Sequence, residues 1–336
     1  MSQMCRLMFV PLLSVVTTSA SAFAQEGALM VEPQETTAAQ PAPEAIAADT
    51  PAEPAPKPTA TPASKRKRYT LPFSLRPAVA PDLARVDSAL AFQDKGSSAI
   101  TTATFGMKPF EGTDLGVYGR VGVAQNAPDD KPNAGAISNP LLFALFTPEI
   151  APKLRLPVFF GVTLPVGMGG GDVPPTDAVR ASVSSGVYGR QAMDNALFAV
   201  NYMTTTTGAG IAWIDKGVTL QAEATLLYLV RVKGESTDKE PARTNFTSGI
   251  HAGYLVADFV NVGLEAHYQR WLSTPVAVQK DDTFRDQATA GGGVRFNVPF
   301  SDTVLVRPGL AAFFGIDDPM AKQGYRIVQL DVPVTF

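Results

Sequence analysis

YRIVQLDVPVTF, residues 325–336, is the stretch from which the fold is read. Side chains along a strand alternate between two faces. The even positions Val328, Leu330, Val332, Val334 and Phe336 are apolar, while Gln329, Asp331 and Thr335 occupy the odd face. A strand with one wholly apolar face must cover it with a core or with hydrocarbon. Upstream, alternating segments recur roughly every twenty residues, each bounded by turn residues, which is the pattern of an all-β, up-and-down antiparallel transmembrane barrel.

The candidate strands are Val86–Gln93, Ala99–Met107, Leu115–Ala124, Pro140–Thr147, Leu154–Leu164, a segment near 207–214, Val218–Val232, Phe246–Val256, Val260–Arg270, Phe284–Val298, Val304–Phe314 and the final strand. They make about twelve, an even number that leaves both termini at one end. Two are hard to read. Pro140–Thr147 is apolar on both faces, and neither it nor 207–214 has a legible register. The links Pro109–Asp114, Thr147–Lys153, Asp215–Gly217, Ala257–Phe259 and Pro299–Thr303 are short, as turns on the periplasmic side of such barrels are, and the others are expected to be longer. Pro165–Thr206 does not alternate and is the largest external loop. Folding into the mouth as a lid or constriction, and simple exposure to solvent, both remain open for it.

Charge placement gives a separate check. Asp87, Arg120, Arg155, Glu223, Arg231, Glu265, Arg285, Arg295, Arg307 and Asp331 all fall on the polar face of their strands. Arg270, Asp286 and Arg326 do not, but they lie at strand ends, where headgroups are within reach. The lumen-lining candidates are therefore Arg120, Glu223, His251, Glu265, His267, Arg295, Arg307 and Asp331. A turn at Ala257-Asp258-Phe259 sets His251 opposite Glu265, within cross-strand range. The same arithmetic puts Arg295 beside Arg307, and Arg307 near Asp331. Such a belt either selects ions or braces the barrel by pairing buried charge.

The 336 residues carry a formal net charge of −3, which does not suit a nucleic-acid partner. Arg6, the apolar run Leu7–Val16 and the Ala22-Phe23-Ala24 site read as a secretory signal peptide over residues 1–24. The one cysteine, Cys5, lies inside it, so the mature chain would hold no disulfide and no Cys-based zinc site. Residues 25–70, rich in Pro and Ala and including the basic run Lys65–Arg68, read as a disordered periplasmic arm. Residues 71–84, with prolines at 72, 77 and 81, read as an extended lead-in, and 85–336 as the barrel.

Catalysis and metal binding find little support. Both histidines face inward at mid-strand with no serine placed beside them, so no catalytic residue is assigned. Gly167–Gly171 lacks the Gly-Lys-Ser/Thr ending of a phosphate loop. The acid pairs Asp129-Asp130, Asp281-Asp282 and Asp317-Asp318 match no calcium-loop spacing and read as solvated turn acids. No cofactor and no metal is expected.

The final strand, ending on an aromatic residue, resembles the C-terminal signal strand of bacterial outer-membrane barrels. That resemblance implies the outer membrane of a Gram-negative cell, a periplasmic arm and C-terminus, lipid as surroundings, and recognition of Tyr325–Phe336 by the barrel-assembly machinery. The region ISNPLLFALF…LRLPVFFGVTLPVG, with its Leu164-Pro165-Val166-Gly167 turn, resembles the outer-membrane family of the phenol-degradation meta pathway. That family implies a barrel passing or binding small, often hydrophobic compounds. The expected function is a narrow channel or transporter for small molecules. The alternative is a non-conducting structural or surface-binding barrel tethered to the periplasm.

Overall fold

The computed structural model describes residues 68–79, 82–170, 176–234 and 242–336. The signal peptide, most of the arm and the basic run up to residue 67 lie outside the described residues. Twelve antiparallel strands follow one another around a closed sheet: β1 (Leu83–Gln93), β2 (Gly96–Met107), β3 (Leu115–Pro128), β4 (Ala134–Ile137 with Leu141–Phe146), β5 (Leu154–Arg155 with Val158–Thr163) and β6 (Tyr202–Asp215). The second half is β7 (Val218–Arg231), β8 (Ala242–Ala257), β9 (Val260–Trp271), β10 (Asp286–Phe296), β11 (Leu305–Val306 with Gly309–Gly315) and β12 (Arg326–Thr335). Closure comes from β12 pairing with β1, Leu83 opposite Thr335 through to Phe92 opposite Arg326, so no edge is left open. Among the described residues no helix is long and apolar enough to cross a membrane.

Burial is inverted relative to a soluble protein. Leu264 is 68% exposed, Ile250 59% and Leu310 57%, whereas Arg295, Asp331 and Gln329 on the opposite face are 0% exposed. Val328, Leu330 and Phe336 look outward as their parity requires. A continuous sheet exterior of Leu, Ile, Val and Phe around a charged interior is stable only with hydrocarbon outside. The outward pair Arg270 and Asp286 meets at 3.0 Å at a strand end, half exposed.

The turns depart from expectation at one point. The five short links lie at the end that holds Leu83 and Phe336, but the β1–β2 connection at the other end is also tight, only Asp94 and Lys95 separating the strands. The β6–β7 turn is the two-residue type, with Lys216 and Gly217 both at positive φ, 47° and 89°.

Two segments fill the interior. From the short-turn rim, where Arg68 pairs with Asp258 at 2.9 Å, residues 69–79 dip into the lumen and return to start β1. Tyr69 and Thr70, which the sequence places in the disordered arm, are part of this insert, and Thr70 is 1% exposed. From the opposite rim the β5–β6 loop descends as helix α1 (Asp177–Gly189), reverses, and climbs through α2 (Asn195–Phe198) into β6. The non-alternating stretch therefore ends at Asn201 rather than Thr206, and of its two readings the inward one is what the structure shows. Gln191 and Ala192, both at φ 57°, make the reversal, held by bonds from their N–H groups to Tyr188 O at 2.8 Å and Val187 O at 2.9 Å.

Candidate functional site

The lumen holds the polar chemistry, and most of it is directed at the insert 69–79. Glu265 on β9 accepts from the backbone N–H of Phe73 and, at 3.0 Å, from that of Ser74. Glu223 on β7 accepts from the backbone N–H of Arg76 at 3.1 Å and from its guanidinium at 3.0 Å. Arg295 on the neighbouring β10 donates to the carbonyls of Leu71 and Pro72, and Arg85 on β1 to those of Pro72 and Phe73. Gln329 and Gln221 donate to the carbonyls of Phe73 (2.9 Å) and Arg76 (2.6 Å). Acidic side chains thus hold amide hydrogens, and guanidinium and amide groups hold carbonyls, which satisfies main-chain groups that could not otherwise stay dry.

The side chains of the insert are buried as well. Leu71, Phe73 and Leu75 alternate in sequence and are 2%, 1% and 2% exposed. Leu71 packs in a cluster with Tyr118, Leu145 and Phe159, and Phe73 in one with Ala311 and Phe313. The guanidinium of Arg295 stacks over the Phe73 ring at 4.2 Å, that of Arg307 over Tyr69 at 4.3 Å, and that of Arg76 over Phe159 at 4.0 Å.

The expected His251–Glu265 pair is present, with β8–β9 register as derived and Nδ1 3.2 Å from Oε1. His267 also reaches Glu265, Nε2 to Oε2 at 3.1 Å, while its Nδ1 meets the Thr289 hydroxyl. Nε2 of His251 meets the Thr70 hydroxyl at 2.9 Å. Each ring thus lies between Glu265 and a threonine hydroxyl, with both of its nitrogens in contact. The hydroxyl–imidazole–carboxylate row from Thr70 to Glu265 has the order of a hydrolase triad, but its hydroxyl sits on the buried insert. No cluster of three or more metal-type ligands is found among the described residues.

The predicted contact of Arg295 with Arg307, and of Arg307 with Asp331, is corrected by the register. Arg295 stands opposite Gly309, which stands opposite Asp331, so Arg307 is two residues out of line with both. The misreading came from the turn after Val298, which keeps its five residues but sits one residue later, with Pro299 opposite Leu305, and so shifts the pairing by two. Gly309 lets Arg295 reach across to Asp331 at 2.6 Å: a Cβ there would lie 2.8 Å from Asp331 Oδ1 and 3.2 Å from Arg295 Cβ. Arg307 instead faces the ring and carbonyl of Tyr69.

From Asp331 an ionic chain continues through residues the sequence did not bring together. Arg85 bridges Asp331 (3.0 Å) and Asp87 (3.8 Å), and Arg120 bridges Asp87 (3.6 Å) and Asp194 (2.7 Å). Arg190, at the reversal of the inserted loop, pairs with both Asp87 and Asp194. The Ser74 hydroxyl donates to Gln191 at 2.9 Å, so the two inserts touch each other in mid-lumen. A cavity of about 40 Å³ remains between them, walled by Tyr118, Phe143 and Met193 on one side and Arg120 and Asp194 on the other.

Asn139 is a second residue that sequence reasoning passed over. It is 0% exposed, accepts from Gly167 N at 2.9 Å, and donates to the carbonyls of Ala199 (2.9 Å) and Tyr202 (3.3 Å). One side chain thereby ties both ends of the inserted loop to β4. The acid pairs behave as turn acids where their contacts are seen. Asp281 caps Thr283, whose hydroxyl and N–H hold the carboxyl below its usual range, and Asp282 pairs with Arg285.

A concavity of about 1050 Å³ lies on the outer apolar surface between β6 and β11, floored by small residues such as Ala222, Ala252 and Ala290. It faces hydrocarbon and belongs to the exterior.

No family model and no curated protein sequence matches the chain. Among solved structures it is similar to the NanC porin (4% identity, TM-score 0.45, covering 75% of this chain and 98% of that one). It is also similar to the KdgM porin (9%, 0.41, covering 75% and 99%). A third is a Pseudomonas aeruginosa FadL homologue (10%, 0.38, covering 76% and 75%). The closed barrel rests on the β12–β1 pairing, not on these likenesses.

Proposed function

We propose that the chain is an outer-membrane channel for small solutes, held shut by its own segment 69–79. The observation that carries this is how the lumen charges are used. Glu265, Glu223, Arg85 and Arg295 grip the main chain of this segment through their side chains. Bonds of this kind exchange readily for water. Removing the segment would therefore expose a polar lumen that hydrates, where a purely structural filling would be apolar.

In this reading the short-turn rim, with both Arg68 and Phe336, faces the periplasm, and strand Tyr325–Phe336 addresses the chain to the assembly machinery. The solutes are small because the inserted loop narrows the passage even after the segment leaves. That they are hydrophobic is implied only by the likeness of the Leu164–Gly167 turn to the phenol-degradation family. Nothing in the arrangement calls for catalysis.

Planar-bilayer recording tests the proposal. The full chain is expected to be silent or to flicker. A chain in which residues 69–79 are replaced by Gly-Ser repeats of equal length should show stable conductance steps. Silence from the replaced chain would overturn the channel and favour the non-conducting, tethering barrel.

A further inference from the structure

We infer that the lumen is a peptide-binding site, whose ligand class is a short peptide that bends at its middle and carries apolar side chains at alternate positions. Segment 69–79 is the copy of that ligand carried in cis. The inference rests on the channel reading for its biology but on separate observations for its chemistry. The wall recognises features common to any peptide: N–H groups at Phe73, Ser74 and Arg76, and carbonyls at Leu71, Pro72, Phe73 and Arg76. Carboxylates on β7 and β9 face the hydrogens. Guanidinium and amide groups from β7, β10, β12 and β1 donate to the oxygens.

Apolar sites complete the recognition. Leu71, Phe73 and Leu75 each enter a prepared place. One lies under Tyr118 and Phe159, one lies against Phe313 beneath the Arg295 guanidinium, and one lies over Gly249, where a Cβ would stand 2.5 Å from Leu75 Cδ2. A lumen built only to hold water and ions needs neither main-chain acceptors spaced for consecutive amides nor alternate apolar recesses. A sugar or an aromatic solute has no amide hydrogens to give Glu265 and Glu223.

Fluorescence anisotropy on the detergent-solubilised, Gly-Ser-replaced chain tests this with a labelled peptide of sequence YTLPFSLRP, residues 69–77. Binding is expected to saturate. N-methylation at the positions of Phe73 and Ser74 removes the hydrogens that Glu265 accepts and should weaken it at least roughly 30-fold. A neutral hexasaccharide should not compete. Absence of saturable binding, equal binding of the N-methylated peptide, or competition by the sugar would overturn the inference. If the replaced chain does not fold, the full-length variant with Phe73→Gly and Leu75→Gly serves instead, because its segment keeps its length but loses its grip. A chain that binds the peptide yet carries no current removes the channel and leaves the peptide site. A chain that conducts yet ignores the peptide does the reverse.

Discussion

Replacing Glu265 by alanine removes one grip on segment 69–79, together with the contacts of His251 and His267 to the same carboxylate. The carboxylate accepts two consecutive backbone N–H groups, Phe73 and Ser74, in a site where it is 3% exposed. Hydrogen bonds to a charged group contribute about 1.5–3 kcal/mol each, and water entering the vacated space restores part of that. The plugged state should therefore lose about 2–4 kcal/mol relative to the released one, a shift of roughly 30- to 700-fold in their ratio. A buried reporter reads the shift. Ala78 is 2% exposed and small, so Ala78→Cys disturbs little. With Cys5, the only native cysteine, changed to serine, it is the sole thiol. Maleimide labelling in vesicles proceeds through the released state, and while release is fast and reversible its rate follows that population. Glu265→Ala should raise the rate by the factor above. A rise under about 3-fold would mean that Glu265 does not hold the segment, and the lumen charges would then serve bracing alone.

Asn139→Ala removes three buried hydrogen bonds that tie the inserted loop to β4. It should speed labelling of an Ala192→Cys reporter roughly 10- to 100-fold while leaving Ala78→Cys less affected. Leu264→Arg puts a cation on the outward face at mid-strand, at a position 68% exposed. In vesicles, urea unfolding should show a loss of about 2–4 kcal/mol, whereas a solvent-facing site would change by roughly 0.5 or less. Gly309→Val forces a side chain between Arg295 and Asp331 and should cost about 1–3 kcal/mol, seen as a lower temperature for the mobility shift of the folded band on gels. An unchanged shift would contradict the Arg295–Gly309–Asp331 alignment.

The outward half of the fold was legible because hydrocarbon imposes one rule at every even or odd position. The lumen imposes no such rule once it is filled. Pro140–Thr147 looked apolar on both faces because both are: Leu142 and Phe146 face outward, while Leu141 packs on the inserted loop with Leu197 and Phe198, and Leu145 packs on Leu71. The same applies to β7, where Leu227 and Leu229 point inward to meet Ala196 and Tyr202. Inward apolar residues were thus the mark of a filled interior.

The charged pairs show where arithmetic on registers stops. His251–Glu265 came out correctly although Ala257, not Val256, stands opposite Val260, because an irregularity between Leu255 and Ala257 restores the count. Arg295–Asp331 did not, because the β10–β11 turn sits one residue later than the count assumed and the partner lies one strand further on, reached across a glycine. Segment 69–79 was the hardest to place. Its prolines at 72 and 77 correctly excluded a ladder strand, and a chain that cannot join a ladder must find other partners for its amides wherever it is buried. In an interior rich in carboxylates and guanidinium groups, those partners were at hand. The excess of lumen charge that suggested ion selection was, in structural terms, the complement of a buried main chain.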